Sequence, residues 1–280
     1  GPDAGGLSAM KQYIQLTNEE IKRSFKLYVI VVIAMIAIEL ASIVAQVMYH
    51  ARKVENFMEL NRVSVAEALK QIDTLGYSEA SSFFSYVTLI GMAIVVIYAI
   101  QIWYRDWLGE TKYIYRLLML PGNRASIFFS KLTTVFLIIV SFIGIQWCVL
   151  QSGFYLFDWL IQPEYQNQSG LSSVRNVMND FYTMNLIDLG IVIAISLFIV
   201  SFIFLLVLIE RSFRKGKAVL KIGLEIFVPV ALTIGILALL DETRYLLETE
   251  AMFLLIGLSL CYFVYMIWKS LRLLQRKITV

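Results

Sequence analysis

The chain holds two cysteines and one histidine in 280 residues, and only 16% of it is charged. So little thiol excludes a secreted module built on disulfides. Cys148 and Cys261 both lie in apolar runs and read as small core hydrophobes. His50 has no HExxH pattern and no Cys/His cluster around it, so no metal ligand is assigned. It follows Tyr49 at the end of an apolar run, which reads as an interfacial position. No GxxxxGK[ST] occurs; Gly216-Lys217 is followed by Ala218, so nothing supplies the backbone amides that wrap a nucleotide phosphate. No nucleophile–base pair stands out either, and no catalytic residue is assigned. A net charge of +3 is too small to suggest nucleic-acid binding.

What the chain does have is apolar surface. Hydrophobic residues make up 59% and mean hydropathy is +0.73. Ordinary globular domains run near ~45–50% apolar and ~25% charged. A chain of this size has no core large enough for that excess, so its solvent is lipid. A spanning helix needs about 20 mostly apolar residues. Runs at 25–48, 83–104, 127–150, 186–209, 222–240 and 251–268 qualify. None shows the dyad alternation of barrel strands. Tyr28, Tyr49, Trp103, Tyr104, Trp107, Tyr182 and Trp268 lie near the run ends, where such rings favour the headgroup zone. The expected fold is an all-α integral membrane protein with six transmembrane helices.

Basic residues set the orientation. Lys11, Lys22, Arg23 and Lys26 precede the first run; Arg105, Lys112, Arg116, Arg124 and Lys131 cluster between the second and third. Arg211, Arg214, Lys215, Lys217 and Lys221 join the fourth to the fifth, and Lys269, Arg272, Arg276 and Lys277 end the chain. These are 18 of the 24 cations. Arg52, Lys53, Arg62, Lys70, Arg175 and Arg244 lie on the other side. Short basic loops stay cytoplasmic, so both termini are expected inside.

The flanking segments carry further signals. A leading Gly-Pro is what some tag-removal proteases leave; residues 1–9 are set aside as a small, structureless remnant, with Met10 the expected start. Thr17-Asn18-Glu19-Glu20 reads as a capping box opening a helix, either an interfacial one over 10–24 or the first turns of span one. The domain proper is then 25–280. Ser64-Val65-Ala66-Glu67 reads as a second box, with Val65, Leu69, Ile72 and Leu75 at helical spacing in the external loop 49–82. Loop 151–185 is rich in aromatics (Phe154, Tyr155, Phe157, Trp159, Tyr165, Phe181, Tyr182) that should lie on the outer membrane surface. Residues 241–250 form a short acidic loop.

Polar groups inside the spans are few. Glu39 lies 14 residues from the inner end of span one. That is about 20 Å at helical rise. A carboxylate there costs a few kcal/mol unless it is protonated, paired or facing water. It is either a substrate-path residue, with Gln46 and Gln101 as companions, or a protonated carboxyl bonded to a neighbouring helix. Gln146 is a further polar group of this kind. Glu225 is expected to pair with Lys221 at i,i+4, and Pro229 to bend span five.

The connection after span two is the most specific segment. Tyr113, Arg116, Leu117 and Leu120 share one helical face, Pro121-Gly122 ends the helix, and Arg124 and Lys131 follow. By pattern it is a lever between two spans or a plain interfacial helix. The stretch 115–132, YRLLMLPGNRASIFFSKL, resembles the LL-x-LP-x-x-R…K segment of type-2 ABC transporter permeases. In that family the segment also follows the second of six spans. The resemblance implies a cytoplasmic coupling helix at 106–121, with Glu110, Lys112, Tyr113, Arg116, Leu117, Leu120 and Arg124 engaging a separate ATP-binding cassette subunit that binds ATP and Mg. It implies a connecting helix at 11–24 and a second permease copy or paralogue, with the substrate path lined by the first, second and fifth spans. Family members often re-enter the membrane between spans five and six; the ten residues available here leave room for a turn or two. The expectation is an exporter subunit of the bacterial cytoplasmic membrane, for a hydrophobic peptide, antibiotic or lipid, serving export or antimicrobial resistance. The alternative is a non-transporting membrane sensor or immunity protein.

Overall fold

The structure, a computed structural model, describes residues 3–108, 124–167, 170, 186–213, 215–243 and 248–276. It is all-helical: α1 (Asp3–Asn61), α2 (Val65–Ile72), α3 (Tyr77–Ala80), α4 (Phe84–Leu108), α5 (Ala125–Leu160), α6 (Leu186–Ser212), α7 (Lys215–Thr243) and α8 (Glu248–Arg276). Six of these helices, all but α2 and α3, are long and apolar enough to cross a membrane.

The helices overrun the expected spans because little in the sequence stops them. From Leu7 to Asn61, α1 contains neither glycine nor proline, and it runs unbroken for 59 residues. Residues 3–9 belong to it and are not structureless. No helix starts at Thr17, which is mid-helix and donates its hydroxyl to the Tyr13 carbonyl at 2.9 Å. A capping pattern acts only where the chain is otherwise free to begin a helix. Arg62, with φ 54°, ends α1 in the left-handed region. Likewise α5 runs ten residues past the expected end, and α7 and α8 take up all of the acidic loop except residues 244–247.

Two compact units make up the chain: one of Gly1–Ile21, Val96–Phe136 and Ile195–Val280, the other of Lys22–Val95 and Leu137–Ala194. The second unit has a closed core. Ile43, Val47 and Val54 of α1 bury against Ala68 of α2, Tyr77 and Ala80 of α3, Phe84 of α4, and Val149, Leu150 and Phe157 of α5. The α2 box forms as read: the Glu67 carboxylate accepts from the Ser64 amide at 3.2 Å. Tyr77 donates its hydroxyl to the Leu150 carbonyl at 2.6 Å. A Cβ on Gly153 would lie 2.8 Å from Ile43 and 2.9 Å from the Tyr77 hydroxyl, so only glycine lets these elements approach. Leu75 N–H donates to the Tyr165 carbonyl at 2.8 Å, and the Leu75 carbonyl accepts from Asn167 N–H at 3.0 Å.

Several placements differ from the sequence reading. Phe157 and Tyr165 are buried in this core; Tyr155 and Trp159 are exposed. His50 is buried against the Tyr165 ring at 6.3 Å. Cys148 and Cys261 are free and exposed, so they face outward and not into a core. Trp103 is fully buried between Phe128 and Phe204, not interfacial. Phe181 and Tyr182 lie outside the described residues.

Candidate coupling site

The first unit gathers charge around Lys131. This side chain sits six residues into α5, in an apolar run, and is 0% exposed. Its ammonium donates to Glu20 of α1 at 2.8 Å, to Asp106 of α4 at 2.5 Å and to the Ile102 carbonyl at 3.0 Å. All three donors are used, which is what a buried lysine requires. Glu20 also pairs with Arg105 of α4. Among the described residues, two cations and two carboxylates meet here. The Trp103 ring lies 5.3 Å from the ammonium and walls off one side. The same two helices, α1 and α5, also meet where the Tyr13 and Thr133 hydroxyls share a hydrogen bond of 2.7 Å.

Three more ties lie in the same unit. Tyr104 donates to Glu210 at the end of α6, and the Arg211 guanidinium covers the Tyr104 ring at 4.6 Å and the Trp107 ring at 6.0 Å. Arg124, just before α5, donates from Nη1 to the Leu274 and Gln275 carbonyls, each at 3.2 Å. These belong to the last turn of α8, where carbonyls lack helical partners and the dipole favours a cation. Arg105 and Asp106 stand just before Leu108, and Arg124 and Lys131 follow from 124. The Lys131 cluster thus ties α4 to α5, and Arg124 separately ties the start of α5 to the end of α8.

Of the expected coupling residues, Arg124 is placed in this set. Glu110, Lys112, Tyr113, Arg116, Leu117 and Leu120 lie outside the described residues. Sequence reasoning missed the centre. Glu20 was read as a cap, and Arg105 and Lys131 only as inside cations; the usable signal was a lone lysine inside an apolar run. Glu225 is also reassigned: its carboxylate pairs with Lys269 of α8 and accepts from Tyr265 at 3.1 Å, while Lys221 lies 3.6 Å over the Phe213 ring. The i,i+4 rule yields here because a cation on α8 reaches the carboxylate.

The expected path residues are placed separately. Glu39 is fully buried, with neither oxygen in a hydrogen bond of normal geometry. The amide of Gln146, 1% exposed, is its polar neighbour. Gln46 and Gln101 are exposed on α1 and α4. No family model, curated protein or solved structure matches this chain.

Proposed function

We propose that the chain is the permease subunit of an ATP-driven ABC exporter in the bacterial cytoplasmic membrane, with both termini inside. A separate cassette subunit binds ATP and Mg and hydrolyses the nucleotide. A second permease, identical or paralogous, completes the substrate path, and the cargo is a hydrophobic or amphiphilic peptide, antibiotic or lipid.

The observation that carries this reading is that the Lys131 centre ties together α4 and α5, the helices that precede and follow residues 109–123. A soluble subunit pushing on a loop moves spans only if the loop is stiffly joined to them. Arg105 and Asp106 on one side, and Arg124 and Lys131 on the other, supply that joint, and through Glu20 it takes in α1. The resemblance of 115–132 to the family's coupling segment supports the same assignment. Glu39, buried with only the Gln146 amide as a polar neighbour, suits a group that meets cargo only when helices part. Gln46 and Gln101, both exposed, are the further substrate-path residues that a second permease would enclose.

The test is co-expression with the ATP-binding subunit encoded nearest the gene. The expected outcome is a stable complex that Tyr113→Ala, Arg116→Ala and Leu117→Ala together dissociate or uncouple. Failure to associate with any such subunit overturns the reading and favours the sensor or immunity alternative.

A further inference from the structure

α7 and α8 are the least covered spans: 6% of the most apolar stretch of each is buried, against 22–39% in the other four. Yet one side of this pair is shaped. An open groove of about 430 Å³ runs between them and α6. It is walled by Phe198 and Phe202 of α6, by Ile226, Pro229 and Val230 of α7, and by Tyr262 of α8. Its volume falls in the ~300–1,000 Å³ range of small-molecule sites. Pro229 lacks an amide to donate, and Thr233 covers the Pro229 carbonyl at 2.9 Å.

One end of the groove is polar and cationic. Tyr262, a wall residue, donates to the Glu225 carbonyl at 2.9 Å, and Glu225 in turn pairs with Lys269. Beyond this pair stand Lys221 and Arg272, which lie over the Phe213 ring at 3.6 Å and the Trp268 ring at 5.1 Å. Neither has a carboxylate partner among the described residues. Three cations therefore face one carboxylate. An apolar trough with a net positive end has the polarity of an anionic phospholipid: chain along the trough, phosphate at the cations.

We propose that this groove holds an acyl chain of an anionic phospholipid, with its phosphate bound by Lys221, Lys269 and Arg272. The site is independent of whether the chain serves an ATPase. Its occupant covers spans that the protein itself leaves bare.

The test uses the full chain, purified in detergent. Its Tm and its retained lipid, by native mass spectrometry, are measured with phosphatidylglycerol, phosphatidylcholine or inorganic phosphate added. Phosphatidylglycerol is expected to raise Tm and stay bound; the other two are not. Lys221→Gln with Arg272→Gln should weaken phosphatidylglycerol binding roughly 30-fold, since each cation near a headgroup is worth about a factor of five. Ser259→Phe, which fills the trough and keeps every charge, should abolish the Tm rise while the protein still elutes as a folded species. Equal stabilisation by inorganic phosphate would overturn the lipid assignment. So would equal binding of both lipids, or unchanged phosphatidylglycerol binding in both variants. Disulfide-linked dimers of Val230→Cys in membranes, in a Cys148→Ser, Cys261→Ser background, would show that a second copy covers the groove instead.

Discussion

Two lysine-centred charge clusters stand among the described residues, and they are built differently. Lys131 is 0% exposed and spends all three donors on its own chain; its carboxylate partners, Glu20 and Asp106, are 5% and 1% exposed. Lys269 is 24% exposed, its partner Glu225 is 9% exposed, and two neighbouring cations have only aromatic rings beneath them. The first is closed. The second is open and carries surplus positive charge. A closed centre fixes geometry, whereas an open one is available to a ligand. A buried ion pair adds little net stability over an apolar replacement, but losing one partner is costly. The Lys131 centre therefore matters chiefly as a joint that tolerates no partial dismantling.

This comparison can be broken by mutation. The largest effect is expected from Lys131→Met, which leaves two buried carboxylates facing each other. It should destabilise by ~3–5 kcal/mol, read as a large fall in the detergent Tm. Adding Glu20→Gln and Asp106→Asn should restore most of that loss; no restoration would mean that packing, not charge, holds the site. Lys269→Met should cost only ~1–2 kcal/mol, because water and lipid headgroups can reach Glu225. A loss as large as that for Lys131 would erase the distinction between the two clusters. Glu39→Gln tests the opposite case, a buried carboxyl with no ion-pair partner among the described residues. It should raise stability by about 1 kcal/mol, because no ion pair is broken and a desolvated acid is removed. A fall would reveal a partner for Glu39. The smallest change is expected from Glu67→Ala, which removes the α2 capping bond and should cost about 0.5–1 kcal/mol.

The six spans were legible in the sequence because lipid imposes long apolar runs, a signal that needs no knowledge of the tertiary fold. The α2 box was legible because it follows a chain reversal at Arg62 that leaves Ser64 free to start a helix. The similar pattern at Thr17 misled because no glycine or proline interrupts α1 there. Charge pairing was read poorly. Glu20 and Lys131 are 111 positions apart, and Glu225 and Lys269 are 44 apart. One sequence alone offers only near neighbours such as Lys221. Aromatic placement failed for a related reason: Trp103 and Phe157 satisfy an interfacial rule by position, but helix packing buries them. Span lengths were underestimated because hydropathy marks the lipid-facing stretch, whereas a helix continues into water until something stops it.

In the proposed function, the Lys131 centre passes the push of an ATP-binding subunit to the spans before and after residues 109–123. The most direct measurement is the ATPase rate of that subunit in three states: alone, bound to wild-type permease, and bound to Lys131→Met permease, all in the same lipid and normalised to subunit retained. The account predicts that the wild-type permease alters the rate, and that the Lys131→Met complex assembles but hydrolyses ATP at the rate of the free subunit. A Lys131→Met complex that keeps the wild-type rate, despite a lowered Tm proving the centre broken, would contradict it.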